Sequence, residues 1–213
     1  MQIIKHDLLS ESDLLARLKR TRLRGFDRPE VYRDATLELV EADPEALTPA
    51  QRYVLREGVQ AILDVADAFA ARDIDVFALR GALLFWPEGS NPESDAPIPF
   101  LPPVIEESIE PGGNKVLLIN DGIHRVYAAR KRGRRINVVL ARDVPPEYPY
   151  YAYALPEGWA RVEELNELRD GYQKKEYRNP ENYKALFRDF NEIFEGVQKQ
   201  RARTNPAHLK SST

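Results

Sequence analysis

Lys115 to Leu140, KVLLINDGIHRVYAARKRGRRINVVL, is the stretch whose reading decides the fold. Lys115 to Asn120 is a short apolar run suited to a buried strand, and Asp121-Gly122 is a sharp turn. Ile123 to Arg132 has helical composition and stops at Gly133, a residue that tolerates the left-handed end of a helix. Ile136 to Leu140 is β-branched and apolar again, which predicts a second buried strand. Just upstream, Phe100 to Ser108 (FLPPVIEES) reads as a strand with two prolines at its entrance, and Pro111-Gly112-Gly113-Asn114 as a turn. The predicted order is therefore strand, turn, strand, helix, strand.

Working outward, the periodicity of Leu14, Leu15 and Leu18 predicts a helix over Leu8 to Leu23, with Ser10 and Asp13 resembling a capping pair. Ala35 to Val40 alternates as a strand does. Thr48 as a cap and Pro49 at the first helical position predict a long helix to about Arg72, since Leu55, Val59, Ile62, Ala66 and Phe69 recur at spacings of four and three. Asp75 to Trp86 reads as one or two short strands interrupted by Gly81. Pro87 to Pro99 is rich in Pro, Gly, Ser and Asn, a loop long enough to be a candidate lid. The tyrosines from Tyr148 to Tyr153 suit either a half-buried strand or a surface on which a base stacks. Asn179-Pro180 opens a last predicted helix carrying Tyr183, Leu186, Phe187, Phe190 and Phe194, and Gln198 to Thr213 reads as a polar, frayed tail.

Composition bounds the function. The 213 residues are 43% hydrophobic and 31% charged with a net charge of −3, which argues against a chain built to coat DNA or an anionic membrane. The absence of cysteine removes disulfides, thiolate metal sites and cysteine nucleophiles together. Only His6, His124 and His208 are present, too few and too scattered for a multi-histidine metal site. No segment approaches the roughly 20 apolar residues of a membrane span, and no signal-like run follows Met1, so a cytoplasmic protein is expected.

A strand ending in a carboxylate, then a glycine turn, then the first turn of a helix, gathers backbone N–H groups where an anion can sit. In that position Gly122 permits close approach, and Arg125 can grip phosphate oxygens bidentately. His124 can donate a hydrogen bond or move a proton, and Asp121 can orient His124, hold a metal-bound water or accept a hydroxyl proton. From Gly122 to Arg142 there is no acidic residue, so Arg125, Arg130, Lys131, Arg132, Arg134 and Arg135 make a local basic field of the right sign for phosphate. A plainer account competes: Asp121 caps a helix, His124 is a satisfied histidine, and the basic run is a solvated face. Glu106 or Glu107, near the motif strand, is a candidate base or Mg²⁺ contact, or a strand-end decoration.

Asp121 to Ala129 (DGIHRVYAA), with its flanking strands, resembles the phosphate-binding signature of the ParB/sulfiredoxin superfamily, the resemblance covering about Phe100 to Asp143. It implies an α+β fold, a small mixed sheet with surrounding helices. It divides the chain into an N-terminal helical extension at 1–30, the domain at 31–170, and a C-terminal helix and tail at 171–213. Sulfiredoxin chemistry needs a cysteine, which is missing, and no helix-turn-helix pattern follows Asp143, so the free serine kinase-like branch fits better than sulfiredoxins or partition proteins. That branch commonly has two adjacent histidines where Ile123 and His124 stand here. The resemblance implies a nucleotide, ATP, ADP or CTP with Mg²⁺, held by Gly122, Ile123, His124 and Arg125. It also implies phosphate transfer to a small hydroxylated molecule, with Asp121, His124 and Glu106 as catalytic candidates. The alternatives are a non-catalytic nucleotide-binding interaction module and a DNA-binding or nuclease protein.

Overall fold

The computed structural model describes residues 1–194. In chain order the regular elements are β1 (Ile3–Ser10), α1 (Glu11–Leu18), β2 (Arg22–Leu23), β3 (Thr36–Ala42), β4 (Tyr53–Leu55), α2 (Arg56–Ala70) and β5 (Gly81–Pro87). They continue as β6 (Ile98–Phe100), β7 (Val104–Ile109), β8 (Lys115–Asp121), α3 (Ile123–Lys131), β9 (Ile136–Arg142), β10 (Glu163–Leu165) and β11 (Arg188–Asp189). The fold is α+β.

At its centre is a four-stranded mixed sheet in the order β3-β9-β7-β8. β7 pairs antiparallel with β8 but parallel with β9, the chain passing from β7 to β9 by way of β8 and α3, and β3 closes the far edge antiparallel to β9. Alternate residues of the inner strands serve opposite faces, the two-residue period of an extended chain. Ile105, Val138 and Leu140 pack with Val59 and Phe69 of α2 and Val126, Ala128 and Ala129 of α3. Val104, Val139 and Ala141 pack on the other face with Leu14 and Leu18 of α1, Tyr32, Phe190 and Ile193. Each such fully buried aliphatic side chain stabilises by about 1.5–3 kcal/mol relative to exposure. A second sheet, β1-β5-β6, is antiparallel throughout.

The block from Phe100 to Leu140 folds in the predicted order, with the two prolines between β6 and β7 and Gly133 at φ +60° after α3. Elsewhere local signals gave way to pairing. The predicted helix over Leu8 to Leu23 shrinks to α1, because Ile3–Ser10 is drawn into an antiparallel ladder with β5; Ser10 does cap α1, accepting from the Asp13 N–H. The helix predicted from Pro49 starts only at Arg56. Thr48 is bound instead to β8, donating to the Leu117 carbonyl and accepting from the Ile119 N–H, and Tyr53–Leu55 pairs with β10. The predicted C-terminal helix is absent from the described residues: Tyr183–Leu186 and Phe190–Ile193 are separate 3-10 turns split by β11, which pairs with β2. Gly196 and the predicted tail with His208 lie outside the described residues. No helix among the described residues is long and apolar enough to cross a membrane.

Candidate functional site

Strand β8 delivers Asp121 to the edge of the core, and Gly122 turns the chain into α3. Gly122 sits at φ +92°, and a Cβ there would lie 2.7 Å from Nη2 of Arg125 and 2.8 Å from its Nε. Both backbone conformation and close approach therefore require glycine. Gly122, as N-cap, supplies no side-chain cap to α3, whose first turn carries the positive end of the helix dipole.

Arg125 is 9% exposed, and two of its N–H groups are fixed from below: Nη2 donates to the Asp121 carboxylate and Nη1 to the Leu101 carbonyl. Its guanidinium carbon lies 5.9 Å from the centre of the Phe100 ring. A buried charge in this setting is tolerable because it is paired and hydrogen-bonded. The predicted phosphate-gripping residue is thus held rigidly at the start of the helix.

His124 points to α2. Its Nε2 accepts from the Leu55 N–H at 3.0 Å, so the neutral ring carries its proton on Nδ1. The imidazole lies against Gly58, where a Cβ would come within 2.8 Å of Cδ2. Burial pushes the His124 pKa below its ordinary value, Arg125 adds to that, and Asp121 opposes it. The ring ties the start of α3 to the start of α2.

Glu106 is 2% exposed and lies in a closed network. Arg188 binds it bidentately, Nε to Oε1 at 2.8 Å and Nη2 to Oε2 at 3.0 Å; Tyr32 donates to Oε1 at 2.5 Å, and Asn120 Nδ2 donates to the same oxygen. Burial alone would lower the Arg188 pKa, but Glu106 and Tyr32 outweigh it and hold the guanidinium above its usual range. Glu107 faces outward and pairs with Lys115 at 2.7 Å. Asp121, Gly122, Ile123, His124 and Arg125 are brought together, whereas Glu106 lies outside the cleft lining and is hydrogen-bonded to Asn120 and Arg188, which line it.

Residues 121–125 line a cleft of about 1260 Å³. Its wall includes Ala96 to Phe100, the end of the loop read as a candidate lid, which is tied by Trp86 Nε1 to the Asp95 carbonyl at 2.7 Å. Its lining also includes Tyr151, Lys174, Lys175, Tyr177, Tyr183, Phe187 and Arg188. Four cationic side chains and two carboxylates, Asp121 and Asp189, line the space. Lys175, Tyr177, Tyr183 and Arg188 were not among the candidates from sequence: Lys174-Lys175 sits in a polar stretch, and Arg188 was buried in a helical pattern that does not form.

The expected basic field needs correction. Past the first turn of α3 each cation of the run, on the helix or in the loop after it, faces a carboxylate from elsewhere: Arg130 with Glu45, Lys131 with Glu164, Arg132 with Asp67, Arg134 with Asp75 and Arg135 with Glu41. The local run contains no acid, but the fold brings one to every member. Among the described residues no group of three or more His, Cys, Asp or Glu side chains stands together as a metal site.

A search of curated proteins returns no match. The family model of the ParB CE domain matches residues 13–163, from α1 through the central sheet, the Asp121–Arg125 turn and β10. The chain belongs to the ParB CE domain family.

Proposed function

We propose that the chain binds a nucleotide or another phosphorylated ligand in the cleft at the start of α3, with phosphate oxygens against the Gly122 to His124 backbone and the remaining N–H donors of Arg125. One observation carries this reading: the α3 N-terminus, with a glycine at its N-cap, opens at Gly122 into a large cleft beside a rigidly held arginine. Aligned amides and a fixed guanidinium suit an anion that brings its own shape. Mg²⁺ would enter with ATP, ADP or CTP, and Asp121 is the carboxylate nearest the mouth of the helix; a resident metal centre is not part of the reading.

Phosphoryl transfer to a small hydroxylated acceptor, the chemistry of the serine-kinase-like branch, is the finer form of this proposal. It is favoured by Asp121, whose carboxylate borders the cleft and can receive a hydroxyl proton. Glu106 enters this scheme as a positioning residue, since its oxygens are already engaged by Arg188, Tyr32 and Asn120. A DNA-binding or nuclease role draws less support from the basic run, because its cations are matched by carboxylates.

Calorimetric titration with ATP, ADP, CTP and pyrophosphate in Mg²⁺ tests the binding step. Micromolar binding of one of them is expected, weakened by about tenfold or more in Arg125→Ala or Arg125→Lys, the scale of a charge-assisted hydrogen bond. Failure of all four to bind the native protein removes the proposal. Nucleotide turnover that requires an added hydroxylated acceptor would establish transfer; binding without turnover would leave a ligand-controlled interaction module.

A further inference from the structure

A further wall of the cleft is built by Tyr151 and by residues 174–188, the latter following the region matched to the family. Residues 151–153 run antiparallel to 176–178, with Tyr153 N–H donating to the Glu176 carbonyl and Arg178 N–H to that of Tyr151. This pairing sets a series of half-buried rings on the cleft. Tyr177 and Tyr183 stack with centroids 3.8 Å apart and planes 20° apart, and Tyr151 continues the series 6.3 Å from Tyr177. Phe187 packs 4.5 Å from Tyr151.

Lys175 joins this wall to the motif. Its Nζ donates to the hydroxyls of Tyr150 at 2.7 Å and Tyr151 at 2.6 Å, and lies 4.6 Å from the Tyr151 ring centre. The Tyr150 hydroxyl in turn donates to the Asn120 carbonyl at 3.4 Å, one residue before Asp121. The ammonium therefore stands two hydrogen bonds from the strand end that feeds the proposed phosphate site. Among the described residues no carboxylate forms an ion pair with it, in contrast to Arg125 and Arg188, which each have one. A half-buried cation held by two neutral hydroxyls keeps its charge available to a ligand anion.

We infer that this wall is a ring-and-charge subsite: Tyr151, Tyr177 and Tyr183 receive the planar base of a nucleotide, and Lys175 meets its phosphate chain on the side facing α3. The inference rests on the phosphate-site reading above and narrows its ligand to a nucleoside polyphosphate rather than inorganic phosphate or a phosphorylated acyclic molecule. Aromatic rings stack on any base, so the wall selects for the presence of a base more than for its identity.

The test compares ATP and CTP with tripolyphosphate, each with Mg²⁺, on the full chain. The better nucleotide should bind the native protein at least about fivefold more tightly than tripolyphosphate, the lower range for one stacked base. Tyr183→Leu should bring the two ligands to near equality by weakening only the nucleotide, while Tyr183→Phe, which keeps the ring, retains the preference. Lys175→Met should weaken both ligands. Equal binding of nucleotide and tripolyphosphate by the native protein overturns the subsite and leaves the phosphate site standing. So does a Tyr183→Leu protein, shown to be folded by circular dichroism, that keeps the native preference. Absence of binding by either ligand removes the phosphate site and the subsite together.

Discussion

At its first turn α3 holds Arg125, 9% exposed, bound to the Asp121 carboxylate and the Leu101 carbonyl at the edge of a cleft. At its far end and in the following loop stand Arg130, Lys131, Arg132, Arg134 and Arg135, solvated and facing carboxylates from four other parts of the chain. In sequence these six cations form one basic run. In space, one is a positioned component of a candidate ligand site and five belong to exposed ion pairs, each contributing between nothing and about 1 kcal/mol. The contrast teaches that a count of charges along a helix carries no information about a binding surface until the partners are known.

The same division between buried and exposed pairs predicts how far each can be disturbed. The largest effect is expected where the pair is most buried: Glu106→Ala leaves the Arg188 guanidinium without its counter-ion and should cost about 3–5 kcal/mol in urea unfolding. Replacing both partners with leucine should recover much of that loss, since an uncompensated charge costs more than a missing pair. A loss below about 1 kcal/mol for Glu106→Ala would place this network in the same class as the exposed pairs.

Gly122→Ala comes next. The φ of +92° and the approach of Arg125 both oppose a methyl group, and holding a non-glycine residue in such a conformation costs about 1–3 kcal/mol. Affinity for Mg²⁺-nucleotide should fall with it, because Arg125 must move; unchanged thermal stability and binding would contradict the account of the turn.

His124 gives a pH dependence. Burial favours the neutral ring, so the unfolded chain takes up the proton more readily than the folded one. The stabilisation is complete above the ordinary histidine value of about 6.5 and is lost as pH falls from there toward the lower folded value. His124→Gln preserves an acceptor for the Leu55 N–H without titrating in this range, and should flatten the part of the stability curve just below pH 6.5 relative to the native chain. A curve with the native slope would show that another group titrates there.

The smallest effects belong to the exposed pairs. Arg132→Ala or Arg134→Ala should each change stability by less than about 1 kcal/mol and leave nucleotide affinity unaltered. A large drop in affinity on removing either cation would restore the basic face as a phosphate-binding surface.

Much of the central block was legible from local signals. The apolar runs of β8 and β9, the Asp121-Gly122 turn and the Gly133 stop are short-range features, and all fall where the residues predict. The candidate residues Asp121 to Arg125 could be found for the same reason, being contiguous. The further wall of the cleft could not: Lys175, Tyr177, Tyr183 and Arg188 reach the cleft because residues 151–153 pair with 176–178 and β11 pairs with β2, contacts between segments separated along the chain. The helical spacing of Leu186, Phe187, Phe190 and Phe194 was real but served packing rather than a helix, once Arg188 was drawn into the buried carboxylate of Glu106.

The sequence by itself determined the α+β class, the strand–turn–helix that carries the motif, and the exclusion of thiol and multi-histidine chemistry, since these follow from residue types and local periodicity. Only the tertiary structure decided which cations are spent in ion pairs, that Glu106 lies locked in a buried network, that His124 is turned toward α2, and that Tyr151, Tyr177 and Tyr183 line the same cleft as the start of α3. Those outcomes depend on partners distant in sequence, and burial gives such contacts an energetic weight that local patterns do not reveal.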